Sequence, residues 1–187
     1  MTLATATGPY LWWIVSRAAG SAALILSSVS VAVGVLMGGN FVRRHKLDAR
    51  VLHEALSLAT LAAIAVHGLT LLGDSYVKLG LADLVIPFLG RYETLWTTAG
   101  IVSFWALALL GISYYARGRI GVQRWRVLHR FTALAWALGI AHSLGEGSDA
   151  GQTWFLAMTA VVVAPALALL IARVLTKTIS PAPSEAR

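Results

Sequence analysis

Four of the five histidines lie in matched pairs within two apolar stretches of the sequence. His53 and His67 are 14 residues apart, and His129 and His142 are 13 residues apart. Imidazole is a common ligand of transition metals and also carries protons near neutral pH. Because ionisable side chains are costly inside a membrane helix, four of them predict either a metal-cofactor site or a proton pathway.

The composition predicts an integral membrane protein. The chain has 187 residues, of which 58% are hydrophobic and 12% charged, and its mean hydropathy is +0.74. Such a chain is more apolar and less charged than a typical soluble domain. One membrane crossing needs about 20 apolar residues in a helix. Five stretches reach this length: Tyr10–Met37, Val51–Gly73, Thr97–Ala116, Arg126–Leu144 and Thr153–Leu175.

Basic residues concentrate in alternate connections between these stretches and after the fifth. Since cytoplasmic loops carry the excess of lysine and arginine, we expect the N-terminus outside and the C-terminus inside. This topology accounts for the net charge of +7 without a nucleic-acid partner. The expected organisation is a short extracytoplasmic segment over residues 1–9, a membrane domain over residues 10–175 and a disordered cytoplasmic tail over residues 176–187.

The histidines are predicted to lie at two depths in the membrane. The second and fourth helices run in the same direction, so His53 and His129 share the cytoplasmic level, whereas His67 and His142 share the outer level. At about 1.5 Å per residue, each helix separates its two histidines by about 20 Å. At about 100° per residue, however, the fourth helix presents its histidines on different flanks unless it is distorted.

Heme is the cofactor that best fits this pattern. Two planar macrocycles, one per leaflet, would each be ligated by imidazole on both faces. The chain contains no cysteine, which excludes C-x-x-C-H heme attachment and a chain-borne iron–sulfur cluster. Zinc and dinuclear sites usually need cysteine or further carboxylates. We therefore expect two noncovalent b-type hemes; a proton relay and plain interhelical hydrogen bonds remain alternatives.

Four arginines are candidates for contact with the heme propionates. Arg17 lies within the first helix, where an outer propionate or the lipid headgroups could neutralise its charge. Arg50, Arg126 and Arg130 lie near the inner histidines. They are candidates for the inner propionates, or they anchor the helices on the positive side of the membrane.

Three other features lie near the predicted hemes. Trp136 lies between the two histidine levels, either between the macrocycles or in ordinary core packing. Glu54 follows His53 and could accept a proton, orient a ligand or favour the helix dipole. In the outer loop 74–96, the segment Leu79–Leu89 is apolar but too short to span, so it is expected along the outer interface, as a cap over a cofactor or resting on lipid.

The chain resembles the ferric reductase-like transmembrane family, which includes the heme core of NADPH oxidases, metalloreductases and the heme subunit of the periplasmic methionine sulfoxide reductase system. The two histidine pairs carry the resemblance, together with Trp125–Arg130 (WRVLHR) and Leu81–Phe88 (LADLVIPF). It covers roughly Arg17 to Val174 and is nearest to short actinobacterial members. Members commonly have six helices and many carry a flavin or nicotinamide domain, whereas this chain has five predicted helices and no G-x-G-x-x-G motif.

The five apolar stretches and the resemblance together predict an all-α bundle of five transmembrane helices around two stacked hemes, in a bacterial cytoplasmic membrane. The resemblance implies a diheme b-type cytochrome that takes electrons from a separate flavin or NAD(P)H reductase, or from a membrane quinol. The acceptor would be ferric iron, oxygen or a partner flavoprotein on the outer side. Two other functions remain open, a heme-binding anchor for a separate extracytoplasmic reductase and a small proton-coupled transporter.

Overall fold

A computed structural model describes residues 8–39, 43–74, 76–146 and 149–179. Within these ranges all regular structure is helical, which confirms the all-α class. A 3-10 turn, Arg43–His45, precedes α2. The α-helices are α1 (Gly8–Gly38), α2 (Lys46–Leu71), α3 (Leu81–Val85), α4 (Thr94–Ile112), α5 (Arg117–Ile120), α6 (Val122–His129), α7 (Thr132–Glu146) and α8 (Thr153–Ile179).

Four of these helices, α1, α2, α4 and α8, are long and apolar enough to cross a membrane. Large apolar side chains such as Leu109 and Val161 point outward, whereas the interior holds small hydroxyl residues such as Ser28. The Ser28 hydroxyl is satisfied by the carbonyl of Leu24 at 2.7 Å, and small side chains let neighbouring helices approach closely. The chain is therefore a multi-pass membrane protein.

The predicted fourth span is divided into two helices. α6 ends at His129 and α7 begins at Thr132, so five uninterrupted membrane-length helices are not found among the described residues. Between them, Arg130 N bonds to Val127 O at 3.2 Å and Phe131 N bonds to Leu128 O at 3.0 Å. Bonds between residues three apart are those of a 3-10 helix, so the chain winds more tightly here.

This tight turn accounts for much of the difference between the 13-residue and 14-residue spacings. A third bond of the same type joins Ala133 N to Arg130 O. Since a 3-10 residue rises about 2.0 Å and turns about 120°, three of them add about 1.5 Å and about 60° to an α-helix. The rise along the helix axis from His129 to His142 thereby reaches about 21 Å, as in α2. The angle about the axis between the two side chains falls from about 140° to about 80°.

Two helical hairpins and α8 form the bundle. α1 packs along α2, α4 packs along α7, and α8 packs along α1, with sparser contacts between the hairpins. At the ends of the hairpins near His67 and His142, Trp12 lies against Gly73 and Trp96 lies against Gly145. The two histidine-bearing segments, α2 and α6–α7, consequently meet where the hairpins face each other.

The outer segment Leu79–Leu89 folds back against α4. Phe88 N donates to Thr98 Oγ1 at 3.0 Å, and Trp105 Nε1 donates to the Val85 carbonyl at 2.9 Å. Phe88 is nevertheless 68% exposed. The segment therefore exposes apolar side chains while its backbone is fixed on α4, and its position along the outer membrane interface stays a prediction.

The chain ends differ slightly from the predicted boundaries. α1 begins at Gly8, and α8 continues to Ile179, beyond the boundary predicted at residue 175. Residues 176–179 are thus helical, and the predicted division of the chain into three segments stays a prediction. The remaining predictions for the two ends fall on residues 1–7 and 180–187, which lie outside the described residues.

Arg17 is paired with a carboxylate that the sequence did not single out. Its Nε donates to Asp149 Oδ2 at 2.5 Å, and its Nη2 donates to Asp149 Oδ1. The guanidinium also lies over the Trp13 ring, 4.1 Å from its centroid. The pair joins α1 to the segment that leads into α8, and a role of Arg17 toward a propionate stays a prediction.

We expect the Arg17–Asp149 pair to stabilise the fold cooperatively. Arg17→Met and Asp149→Asn each leave a partly buried charge without its partner, whereas the double variant removes both charges. Unfolding by SDS in mixed micelles, followed by circular dichroism, should give a coupling free energy of about 0.5–3 kcal/mol. Strictly additive effects of the two substitutions would show that the pair does not hold α8 to α1.

Candidate cofactor site

The structure brings together the same two histidine pairs that the order of the helices predicts. His53 of α2 faces His129 of α6, with ring centroids 6.1 Å apart and ring planes at 84°. His67 of α2 faces His142 of α7, with ring centroids 6.2 Å apart and planes at 73°. Each pair joins one hairpin to the other, and both pairs have nearly the same geometry.

The two histidines of α2 are oriented by backbone carbonyls of α1. His67 Nδ1 lies 2.9 Å from the Ser16 carbonyl oxygen, and His53 Nδ1 lies 3.0 Å from the Ser30 carbonyl oxygen. The hydroxyls of the same serines lie 3.0 and 3.1 Å from these nitrogens. A carbonyl can only accept, so Nδ1 carries the proton and Nε2 of each ring keeps a free lone pair.

The histidines of α6 and α7 are oriented in two different ways. His142 Nδ1 donates to the Trp96 carbonyl of α4 at 2.9 Å. His129 Nδ1 is buried near the Leu110 carbonyl, but it makes no hydrogen bond of good geometry with any described residue. Its ring instead stacks on Trp125, with centroids 4.8 Å apart. Three of the four rings are therefore fixed by backbone and one mainly by an aromatic neighbour.

Three of the rings lie directly against glycines. A Cβ atom at Gly34 would lie 3.1 Å from His53 Cε1, and one at Gly20 would lie 3.0 Å from His67 Nδ1. At Gly100 it would lie only 2.7 Å from His142 Nδ1. At Gly100 a Cβ would force the ring to move, and at Gly20 and Gly34 the ring would have to give by a few tenths of an ångström, so glycine allows the close approach of each ring to the helix.

These serines and glycines repeat along α1 with the period of the histidines. Ser16 with Gly20 and Ser30 with Gly34 form the same Ser-x-x-x-Gly pattern, and the two copies are 14 residues apart. His53 and His67 have the same separation. This set was missed at the level of sequence, although the shared 14-residue interval is a signal that could have revealed it.

Trp136 lies between the two histidine levels and is 3% exposed. Its Nε1 donates to Ser28 Oγ of α1 at 3.1 Å. It therefore packs in the core between the two hairpins, as one of the two predicted interpretations required. A position between two macrocycles stays a prediction.

At the inner end, Glu54 joins α2 to the segment after α4. Its Oε1 accepts a hydrogen bond from the Tyr115 hydroxyl at 2.6 Å, which raises the pKa of that phenol. Arg50, Arg126 and Arg130 are exposed at the same end. Their assignment to the inner propionates stays a prediction.

The donor set at each level fits a planar metal cofactor better than a bare ion. No cluster of three or more histidine, cysteine, aspartate or glutamate side chains suited to a metal ion occurs in the described part of the chain. Each level offers two imidazoles. A metal–imidazole bond is about 2 Å and the ring centre lies about 1 Å farther, so imidazoles on opposite sides of one metal have centroids about 6 Å apart. The observed 6.1 and 6.2 Å agree with this distance.

No protein-family model, curated protein or solved structure matches this chain.

We expect substitution of Gly100 to be destabilising in a way that substitution of Gly111 on the same helix is not. Gly100→Ala places a Cβ against His142, and such overpacking costs about 1–3 kcal/mol. A Cβ at Gly111 would meet no atom within 4 Å, so Gly111→Ala should be neutral or stabilising by up to about 1 kcal/mol. SDS unfolding measures both; equal effects would contradict the close contact at Gly100.

Proposed function

We propose that the protein is a diheme b-type cytochrome that conducts electrons across the membrane, and that it belongs to the ferric reductase-like transmembrane family. The observation that carries the proposal is the pair of facing imidazoles at each of two depths, with centroids about 6 Å apart. The orientation of Nδ1 toward backbone carbonyls supports it further, because metal-ligating histidines usually donate their other ring N–H in this way.

The chain's own residues have distinct roles in this proposal. His53 and His129 would hold the inner heme, and His67 and His142 would hold the outer heme. Bound heme supplies reversible one-electron chemistry. The carbonyls at positions 16, 30 and 96 fix three of the rings. Since each level supplies two imidazoles, a heme held by both would keep no coordination site for substrate, which favours electron transfer over oxygenase chemistry.

In this proposal α6 and α7 together form a fifth crossing. α2 is one unbroken helix, and its two histidines are separated by a rise of about 21 Å. Their partners lie on α6 and α7 respectively. The α6–α7 segment must therefore extend over the same depth as α2, despite the tight turn between its halves. With the predicted topology, the pair at His53 lies on the cytoplasmic side.

A proton relay is the alternative function. The Nδ1 atoms of His53, His67 and His142 each lie within hydrogen-bond distance of a backbone carbonyl, which can only accept, but a serine hydroxyl or the Glu146 carboxylate lies beside each of them as well. The facing of two imidazoles at each level is the observation that favours heme over this alternative. A separate cytoplasmic flavin reductase or a membrane quinol is the proposed donor. The proposed acceptor is ferric iron, oxygen or a partner flavoprotein outside a bacterial cell membrane.

We expect the protein, expressed with ample heme, to purify with two b-type hemes per chain. The reduced-minus-oxidised optical spectrum should show b-type bands. Imidazole planes at 84° and 73° should give the oxidised protein a highly anisotropic low-spin EPR signal, because near-parallel planes give a rhombic one instead. A protein without heme bands would contradict the proposal, and a purely rhombic signal would contradict the ring geometry.

We expect each histidine replacement to remove one specific heme. His67→Ala or His142→Ala should lose the outer heme and keep the inner one, and His53→Ala or His129→Ala should do the reverse. Heme content and transmembrane reduction in sealed vesicles measure the effect. His45→Ala is the control, because His45 is 73% exposed and outside both pairs. Two reducible hemes in each of the four variants would refute the axial assignments.

A further inference from the structure

In the described part of the chain, a histidine of the outer pair lies within ion-pair distance of a carboxylate, and no such contact is found for the inner pair. Glu146 lies one turn after His142 on α7, and its Oε2 is 2.9 Å from His142 Nδ1. The Glu146 side chain is 15% exposed. The ring directs its proton toward the Trp96 carbonyl, so Oε2 is buried beside the ring without a hydrogen-bond donor among the described residues.

α4 holds the carboxylate in this position. Glu146 Oε1 accepts from Thr97 Oγ1 at 2.7 Å. Thr97 is itself buried, and its hydroxyl lies 2.8 Å from the Tyr92 carbonyl. The Glu146 side chain is thus fixed at one oxygen by a buried hydroxyl, which keeps the other oxygen beside the imidazole.

Among the described residues, the hydrogen-bond and ring-stacking partners of the inner pair outside the pair itself are neutral. His53 Nδ1 meets the carbonyl and hydroxyl of Ser30, and the His129 ring lies on Trp125. Glu54 is the nearest acidic residue in sequence, but its carboxylate accepts from Tyr115. The two sites therefore share their ligand geometry and differ in the charge next to one ligand.

We propose that Glu146 is a positioning residue that keeps the outer heme at a lower reduction potential than the inner heme. A carboxylate beside the outer nitrogen of a ligating imidazole raises the basicity of that ligand, and its negative charge favours the oxidised metal. The effect is strengthened by burial, because charges interact more strongly in a low-dielectric interior. This inference rests on the proposed function, since it assumes that both pairs hold heme.

The test is an optical redox titration of the purified, heme-loaded protein. The wild type should titrate in two steps, and the lower-potential step should be the one that His142→Ala removes. Glu146→Gln keeps the size of the side chain and removes its charge. We therefore expect the midpoint potential of the lower step to rise toward that of the higher step, while the potential of the higher step stays unchanged. Glu93→Gln is the matched control, because Glu93 is an exposed carboxylate at the start of α4 and should move neither step.

A second variant keeps the test decisive if Glu146→Gln binds only one heme. Thr97→Val removes the hydroxyl that fixes Oε1, so it should shift the lower step in the same direction by a smaller amount. The inference is overturned if the lower step does not move, if the higher step moves instead, or if both variants lose the outer heme. A wild type without heme would overturn the proposed function as well, whereas two hemes with unshifted steps would overturn this inference alone.

Discussion

The contact between an imidazole ring and the backbone of the neighbouring helix is the interaction on which the rest of the structure depends. The α1 carbonyls of Ser16 and Ser30 accept hydrogen bonds from Nδ1 of the α2 histidines. The absence of a Cβ at Gly20 and Gly34 lets the rings lie close to α1 beside these carbonyls. A buried imidazole that lost this contact would leave an unpaired N–H in an apolar interior, which costs about 1–3 kcal/mol.

This contact also fixes how the helices are aligned. Because the Ser-x-x-x-Gly pattern and the histidines recur at the same 14-residue interval, a slip of α1 along α2 would break both contacts together. The opposite hairpin reaches the same two depths with a 13-residue interval, and the tight turn at Arg130 supplies most of the missing rise. The histidines of the two segments, although spaced at unequal intervals in the sequence, thereby face each other at both levels.

The difference in charge between the two levels bears on the direction of electron flow. A lower potential at the outer level would oppose outward transfer in a membrane without a voltage. In an energised membrane that is positive outside, the field assists outward movement of an electron by about 2.3 kcal/mol per 100 mV for a full crossing. The proposed order of potentials would therefore couple outward electron flow to the membrane voltage.

The sequence was sufficient for the features that depend on composition and chain order. The apolar stretches predicted the long helices, and the order of helices predicted which histidines would meet. A hydropathy window could not locate the break at Arg130–Phe131, because about three residues of tighter winding leave the apolar pattern unchanged. The Arg17–Asp149 pair and the Thr97–Glu146 hydrogen bond join residues far apart in the chain, so no local pattern reports them.

The most direct test of the central claim is an experimental structure of the heme-loaded protein in a lipid nanodisc. We expect one macrocycle between His53 and His129 and another between His67 and His142, each with Nε2 of both rings bound to iron. A macrocycle bound elsewhere, or two ring pairs that close on each other without one, would contradict the claim.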